Sequence, residues 1–278
     1  MSTLTNVGAP RVDLGPFPTE HPYSLYTVAK QLEGERWENG VSLLGYPDGL
    51  PSGFDPCSEG TFREKDESDT APYGTFLGFT TWLGLLCSTM GMGSFEEFQA
   101  RVNAALAAKD HHAAERQLAQ GNPLDQNPYF GDTHLSILGG GGALTPGTGL
   151  AYLEEAIGAT GIAGVLHATP AIASAWSFDG GLYVEDGRLY TWLGTPVVVG
   201  TGYIGTDPAN GSTPAAGQGW AFASGPVVYG RGPLVELAPT AAETVDREIN
   251  LVDYRAERDI VVAWDTALQA GVLIDWTP

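Results

Sequence analysis

The longest helix signal in the chain constrains the fold most, because it predicts a rod that another element must cover. It runs from Ser94 to Gly121 with the sequence SFEEFQARVNAALAAKDHHAAERQLAQG. Ser94 and Glu97 form a capping box, and Gly121 followed by Pro123 ends the helix. A helix of this length extends roughly 40 Å.

The apolar residues of this helix recur at three- and four-residue steps and form one narrow stripe. They are Phe95, Phe98, Val102, Ala105, Leu106 and Ala113. The charged residues predicted to lie on the other faces are Glu96, Arg101, Lys109, Glu115 and Arg116. A narrow stripe on so long a helix indicates that a sheet lies along it, and no catalytic pattern is visible on it.

A second strong pattern lies near the C-terminus, in the sequence NLVDYRAERDIVVAWD at positions 250–265. Its apolar residues share one parity, which predicts a long strand with one buried face. They are Val252, Tyr254, Ala256, Ile260, Val262 and Trp264. Arg258 interrupts this face. We expect the strand to pack on the helix at 94–121 and to bury Trp264.

The remaining signals predict an α+β chain with five segments. A proline-rich arm comes first, followed by a thin two-stranded extension with many turn residues. A strand at 76–88, the helix and a glycine-rich linker at 138–149 follow, and strands at 164–168, 188–193 and 195–200 then alternate with turns. The predicted segments are 1–36, 37–75, 76–149, 150–239 and 240–278, the last containing the long returning strand.

Charge and composition exclude several classes of protein. The 278 residues include 13 basic and 33 acidic residues, a net charge of −20. Gripping nucleic acid phosphates requires clusters of Lys and Arg, so we expect no sequence-specific DNA binding. The sequence also predicts no signal peptide and no membrane span, because it has neither a basic leader with an apolar core nor eighteen consecutive apolar residues.

Motifs that would indicate catalysis or cofactor binding are weak. Residues 200–205, GTGYIG, match the G-x-G-x-x-G pattern, but Pro208 and Pro214 prevent the helix that a dinucleotide needs, so we predict a loop. His111 and His112 point about 100° apart on a helix and cannot chelate one metal. His167 lies in an apolar strand and is predicted to be a core histidine. We therefore predict no catalytic, cofactor-binding or metal-binding residue.

The arm and the extension have too few apolar residues to form cores of their own, yet both contain aromatic residues. This combination favours contacts with neighbouring subunits. The interface candidates are Phe17, Tyr23 and Tyr26 in the arm, with Phe54, Phe62 and Lys65 in the extension.

The order of these segments resembles the major capsid proteins of tailed double-stranded DNA bacteriophages, which have the Hong Kong 97 fold, and those of actinobacteriophages in particular. The stretches that support the resemblance are AAERQLAQG (113–121), GVLHATPAIASAW (164–176), GTPVVVGTGY (194–203) and NLVDYRAERDIVVAWD (250–265). The resemblance implies an N-terminal arm, an extended hairpin loop, a peripheral domain with a long spine helix, and an axial domain.

The resemblance also implies a function and partners. The chain would be a structural subunit of an icosahedral capsid, assembled in the host cytoplasm from hexamers and pentamers of itself. A separate scaffolding protein, a portal and packaged double-stranded DNA would be its neighbours. Some members form a cross-link from a loop lysine, but acidic residues surround Lys65 and favour its charged form. We expect no cross-link.

Three other functions stay open. Another virion component, such as a tail or head–tail connector protein, would also be acidic and without catalytic motifs. An encapsulin-like shell would have the same fold. A small-molecule enzyme of mixed fold would use the loop at 196–205 as its binding site.

Overall fold

The computed structural model describes residues 21–34, 36–37, 39–44, 73–88, 95–121, 127–132, 135–203, 207, 212–236, 245–246 and 251–277. The helices in these residues are α1 (Leu25–Val28), α2 (Phe95–Gln120), α3 (Pro146–Thr160) and α4 (Pro170–Phe178), with a 3₁₀ turn at Leu138–Gly141. The strands are β1 (Lys30–Gln31), β2 (Val41–Leu44), β3 (Tyr73–Phe76), β4 (Phe79–Ser88), β5 (Ser136–Ile137), β6 (Val165–Ala168), β7 (Leu182–Glu185), β8 (Arg188–Thr191), β9 (Pro196–Val199), β10 (Gln218–Ser224), β11 (Val227–Arg231), β12 (Val235–Glu236), β13 (Val245–Asp246), β14 (Leu251–Trp264) and β15 (Gln269–Asp275).

Strand β14 organises the first sheet. It pairs antiparallel with β4 along the whole length of β4, from Phe79 to Ser88. On its other edge β13, β12 and β11 pair with successive parts of β14, and β1 adds to β11 in parallel. The alternating pattern at 250–265 therefore predicted this strand correctly.

Helix α2 lies along this sheet, and its buried residues recur at every fourth position. Four residues turn a helix by about 400°, so each step moves the buried line about 40° around the axis. The buried residues of this series are Phe98, Val102, Leu106, Asp110, Ala114 and Leu118. The first three pack with Tyr254 and Ala256 of β14, whereas the last two enter a central core. The expected packing of the long strand on the helix is confirmed.

Two details of the predicted helix differ. Ala105 and Ala113, which were predicted to lie in the apolar stripe, are only half-buried. The series of buried positions rotates around the helix axis, so these two residues lie to one side of it. Glu115, placed on an outer face, is fully buried. The helix ends as expected at Gly121, whose φ of +65° is the left-handed conformation that glycine tolerates.

The second sheet has the strand order β5-β15-β10-β6-β9-β8-β7 in the described residues. Alternate side chains of its central strands enter two different cores: Leu166 and Ala221 pack toward α3 and α4, while Val165 and Phe222 face the central core. Because both faces are covered, the strands lack polar alternation. The strands predicted at 164–168, 188–193 and 195–200 correspond to β6, β8 and β9.

These two larger sheets are joined by one continuous antiparallel ribbon, while β2 and β3 pair with each other in a separate two-stranded sheet. Residues 218–231 run beside residues 260–275, first as β10 with β15 and then as β11 with β14. The ribbon passes between sheets at Gly225, where an added Cβ would lie 2.7 Å from the Asp265 carbonyl oxygen. The sequence-based segments therefore differ here: β11 belongs with the helix α2 sheet, and β15 leaves it. Pairing, and not position along the chain, decides the sheet of each strand.

A central core fills the space between the sheets. Trp264 is only 1% exposed, and its ring lies 4.9 Å from Phe76 and 5.4 Å from Phe130, between ring centroids. Leu118 of α2 belongs to the same cluster. The expected burial of Trp264 is confirmed. Its ring packs against Phe76 and Phe130 of the central core, and the ring contacts between β14 and α2 are made by Tyr254 instead.

The described part of the predicted arm also belongs to this core. Leu25 is fully buried, the backbone N–H of Val199 donates to the Tyr23 carbonyl at 2.8 Å, and β1 pairs with β11. Residues 21–31 thus contact both sheets of their own subunit. Among the described residues, no helix is long and apolar enough to cross a membrane.

Candidate functional site

Three segments distant in sequence meet at the Glu115 side chain, and we call this meeting point the junction. They are residues 21–31, helix α2, and residues 200–203 that follow β9. Glu115 Oε1 accepts a hydrogen bond from the Leu25 backbone N–H at 3.3 Å, and Oε2 accepts one from the Gly202 N–H at 3.3 Å. One carboxylate therefore bonds to both segments that cross the helix.

Two glycines allow this close approach. A Cβ added to Gly200 would lie 1.9 Å from Glu115 Oε2, and one added to Gly202 would lie 2.4 Å from Glu115 Cβ. The first two glycines of the G-x-G-x-x-G match therefore serve contact with a helix, not with a phosphate. No helix starts in the described residues 200–203, 207 and 212–217, as expected.

Burial controls the electrostatics of Glu115. Desolvation raises its pKa from 4.5 to about 7, although the N–H groups of Leu25 and Gly202 oppose the rise by favouring the carboxylate. Its charge also helps burial to raise the pKa of Tyr203, which is fully buried. The junction therefore holds an acid that titrates near neutral pH.

Tyr203 connects the junction to a buried histidine. His167 Nδ1 lies 3.0 Å from the Tyr203 hydroxyl, and Nε2 lies 2.8 Å from Ser224 Oγ. Ser224 donates its own proton to the Gly225 carbonyl, so its Oγ can only accept a hydrogen bond from His167. This assigns the imidazole proton to Nε2, and Nδ1 then accepts a hydrogen bond from the Tyr203 hydroxyl. Burial lowers the pKa of His167 to about 3, which keeps the ring neutral.

The pair of Ser224 and His167 does not form a nucleophile with its base. Both residues are fully buried, and the serine hydroxyl is already used by a carbonyl. The prediction that His167 is a core histidine is confirmed.

The adjacent histidines of α2 face different neighbours. His111 lies 5.9 Å from His21, between ring centroids, and its pKa is lowered mainly by burial and also by His21. His112 Nδ1 lies 3.2 Å from Thr201 Oγ1. Both histidines thus contact the segments that meet at Glu115. Within the described ranges, no group of three or more His, Cys, Asp or Glu side chains is placed to hold a metal ion.

A second buried carboxylate, Asp110, explains the interruption at Arg258. Asp110 Oδ2 accepts hydrogen bonds from Arg231 Nε and Arg258 Nη1, both at 2.8 Å. Arg258 thus points toward α2, as its parity requires, and meets an acid there. Sequence reasoning missed this pair, although Asp110 occupies the four-residue series of the buried line.

The structure describes two of the six residues predicted to lie at subunit interfaces. Tyr26 stacks on Tyr229 with 4.3 Å between ring centroids, and the Arg231 guanidinium lies over its ring. Tyr23 packs against the core under α3 and α4. Both are thus half-buried in their own subunit. Phe17, Phe54, Phe62 and Lys65 lie outside the described residues, and a role for the six at subunit contacts stays a prediction.

Comparison with known proteins gives a result for structure only. No family model matches the sequence, and no curated protein is significantly similar to it. The capsid of an empty GTA particle superimposes with a TM-score of 0.59 at 15% identity, covering 98% of this chain and 96% of the other. This chain has the Hong Kong 97-type capsid fold.

Other solved structures share the Hong Kong 97-type fold at similar length. A structure of Microbacterium phage Oxtober96 gives a TM-score of 0.55 at 10% identity, with 97% of this chain and 96% of the other covered. The SrpI encapsulin of Synechococcus elongatus PCC 7942 gives 0.52 at 13% identity, with 97% and 92% covered. The expected α+β fold is confirmed. The sheet of β14 with α2 is its peripheral part, and the sheet of β6, β9 and β10 with α3 and α4 is its axial part.

Proposed function

We propose that this protein is the structural subunit of an icosahedral capsid that self-assembles and encloses the double-stranded DNA genome of a tailed bacteriophage. The single observation that supports this most is the Hong Kong 97-type fold along nearly the whole chain, shared with the capsid of a GTA particle. The subunit would act through assembly, without catalysis, in the virion.

The filled junction supports a structural role over the enzyme alternative. That alternative needs a ligand site at 196–205, but Gly200 and Gly202 lie against α2 so closely that a methyl group would collide there. The buried side chains of Glu115 and Tyr203 are used by hydrogen bonds within the subunit.

The proposed partners follow from the shell. Copies of the chain would form hexamers and pentamers, with a separate scaffolding protein and a portal completing the head. The net charge of −20 suits a wall beside packaged DNA that does not bind it by sequence. Contacts between subunits would involve residues 45–72, which join β2 to β3 and include Phe54, Phe62 and Lys65.

An encapsulin-like shell is the second candidate, and the correspondence with SrpI supports it. The contents of particles purified from cells that make the protein together with the other products of its genome distinguish the two. Nuclease-resistant double-stranded DNA of uniform length is expected for the capsid. Particles that contain a cargo protein and no DNA would contradict it.

A further inference from the structure

Three aromatic rings form a row on one face of the hairpin made by β7 and β8. The Tyr183 ring lies 5.8 Å from the Tyr190 ring and 5.1 Å from the Trp192 ring, between centroids, and both pairs are stacked. The indole N–H of Trp192 donates to the Gly180 carbonyl, which fixes the ring at the end of the row. We call Tyr183, Tyr190 and Trp192 the aromatic row.

The aromatic row lies where the described residues leave one face of the axial sheet uncovered. On the opposite face of the hairpin, Leu182 and Leu189 pack in the core under α3 and α4. On the face of the row, the central core extends as far as Val198 of β9, and none of the three rings belongs to a core of the described residues. Trp192 is 70% exposed and the adjacent Leu193 is 79% exposed. Exposed apolar patches of this kind mark interaction surfaces.

The N-terminal segment enters the described structure beside this row. The Gly200 N–H donates to the end of β6, so the Val199 N–H points to the opposite edge of β9, where it donates to the Tyr23 carbonyl. Further along β9, β8 occupies this edge. The His21 ring lies 5.9 Å from the His111 ring of α2, between centroids, and α2 packs on the side of the central core. The residues before His21 therefore leave on the same face as the aromatic row.

The aromatic row is within reach of these preceding residues. The register between β8 and β9 puts Trp192 roughly 17 Å from Val199 along the strands. Residues 10–20 would span roughly 34 Å in a polyproline II conformation, which rises about 3.1 Å per residue. The segment is therefore long enough to lie along the row of its own subunit.

The sequence of this segment suits an aromatic surface. Residues 10–20 read PRVDLGPFPTE, with prolines at positions 10, 16 and 18. Proline fixes its own φ and restricts the residue before it, so less conformational entropy is lost when the segment docks. Proline also has no N–H for strand pairing, and proline-rich segments dock on aromatic-lined surfaces in the polyproline II conformation.

We propose that residues 10–18 dock along the aromatic row of their own subunit, with the Pro-Phe-Pro sequence at 16–18 against the rings. A segment tethered at His21 has an effective concentration on the order of millimolar for the row, which favours it over the same segment of another copy. Docking covers the exposed indole and fixes the point where residues 1–9 leave the subunit. Phe17, a candidate for subunit contacts, would then contact its own subunit. The proposal concerns the single subunit and does not rest on the shell function.

Trypsin cleavage after Arg11 measures this docking, because the bond is cleaved only when the segment is released. Trp192→Ala should increase the cleavage rate of the dilute subunit at least about fivefold, since the rate follows the released population. Pro16→Ala combined with Pro18→Ala should have the same effect without altering the described fold. The control, Trp82→Ala, removes an indole that is 65% exposed on β4 of the other sheet and should leave the rate unchanged. Equal rates in the Trp192→Ala variant, the double proline variant and the unchanged protein would overturn the proposal.

Photo-crosslinking then identifies the contact. Phe17→benzoylphenylalanine introduces a light-activated group, and unassembled subunits with and without 15N are mixed before illumination. We expect links from position 17 to residues 183–192 within one isotopic form. Links between the two isotopic forms would show that a second copy is the partner and would overturn the proposal. Links only to other surfaces, or none, would overturn it as well. None of these results requires shells to form, so the outcome is separate from that of the proposed function.

Discussion

A buried carboxylate at the point where three segments meet makes the stability of this subunit depend on pH. Glu115 is fully buried, and its pKa is raised to about 7, so the folded state keeps a proton that the unfolded state loses near pH 4.5. The stability gained from the neutral form is fully present below pH 4.5 and is lost as the pH rises through about 7. His167 has the opposite dependence, since its lowered pKa favours folding above about pH 6.5.

Glu115→Gln should remove the first of these dependences, because an amide does not ionise. The free energy of unfolding of the variant, relative to the unchanged protein, should rise by about 2–3 kcal/mol between pH 5 and pH 8. His167 is common to both proteins and cancels. Urea denaturation at the two pH values measures the difference, with Glu155→Gln on the exposed face of α3 as the control. Parallel pH profiles for Glu115→Gln and the unchanged protein would contradict this account of the junction.

Gly202→Ala tests the close approach of the loop to α2. The new methyl group would lie 2.4 Å from Glu115 Cβ and 2.6 Å from the His112 carbonyl oxygen, so the loop must move. We expect a loss of about 1–3 kcal/mol, the usual cost of overpacking. Gly158→Ala in α3, which has no atom within 4 Å of the new methyl, should be neutral or stabilising. Thermal unfolding of the two variants provides the comparison. Equal melting temperatures would contradict the close approach of this loop to α2.

The elements that the sequence predicted best are those with long, regular periods. Helix α2 and strand β14 each repeat their pattern over more than a dozen residues, so both their existence and their mutual packing could be inferred. Helix α4 was missed because nine residues show little periodicity, although Thr169 and Pro170 form a start signal. The burial of Glu115 could not be inferred, because it depends on segments that approach α2 from 90 residues before it and 87 residues after it.

Trp264 tests the central core where these elements meet. Trp264→Ala should cost about 3–5 kcal/mol, because it removes a ring packed against Phe76 and Phe130. Trp264→Phe should cost less than half as much, since the indole N–H has no hydrogen-bond acceptor among the described residues. Chemical denaturation of both variants measures the two costs. A loss below about 1 kcal/mol for Trp264→Ala would show that the ring is not part of the core.

At the scale of the molecule, the chain repeatedly passes between the sheet of β14 and the sheet of β6, β9 and β10. The ribbon of residues 218–231 and 260–275 crosses once, and residues 21–31 fasten the same two sheets from the N-terminal side. Segment boundaries drawn along the sequence therefore could not reproduce the sheets, because β15 returns to the axial part after β14 has completed the peripheral part.

Because residues 21–31 contact both sheets, a truncation that tests the arm between subunits must keep them. Removing residues 1–30 would take away Leu25, which is fully buried, and most of the segment that fastens the sheets, so the subunit should lose stability. Removing only residues 1–20 should leave a subunit that unfolds at nearly the same temperature but does not close shells. Thermal melting followed by circular dichroism measures the stability of both deletion variants, and particle counts by electron microscopy measure shell closure. Normal shells from the shorter deletion would show that residues 1–20 are not needed between subunits.

The central claim is that copies of this chain assemble with each other into closed shells, and electron microscopy of the purified protein tests it most directly. The protein expressed alone, or with a scaffolding protein from its own genome, should give closed particles of uniform diameter under negative stain. Open rings or tubes would indicate a connector or tail protein. Only monomers or dimers under both conditions would contradict the account.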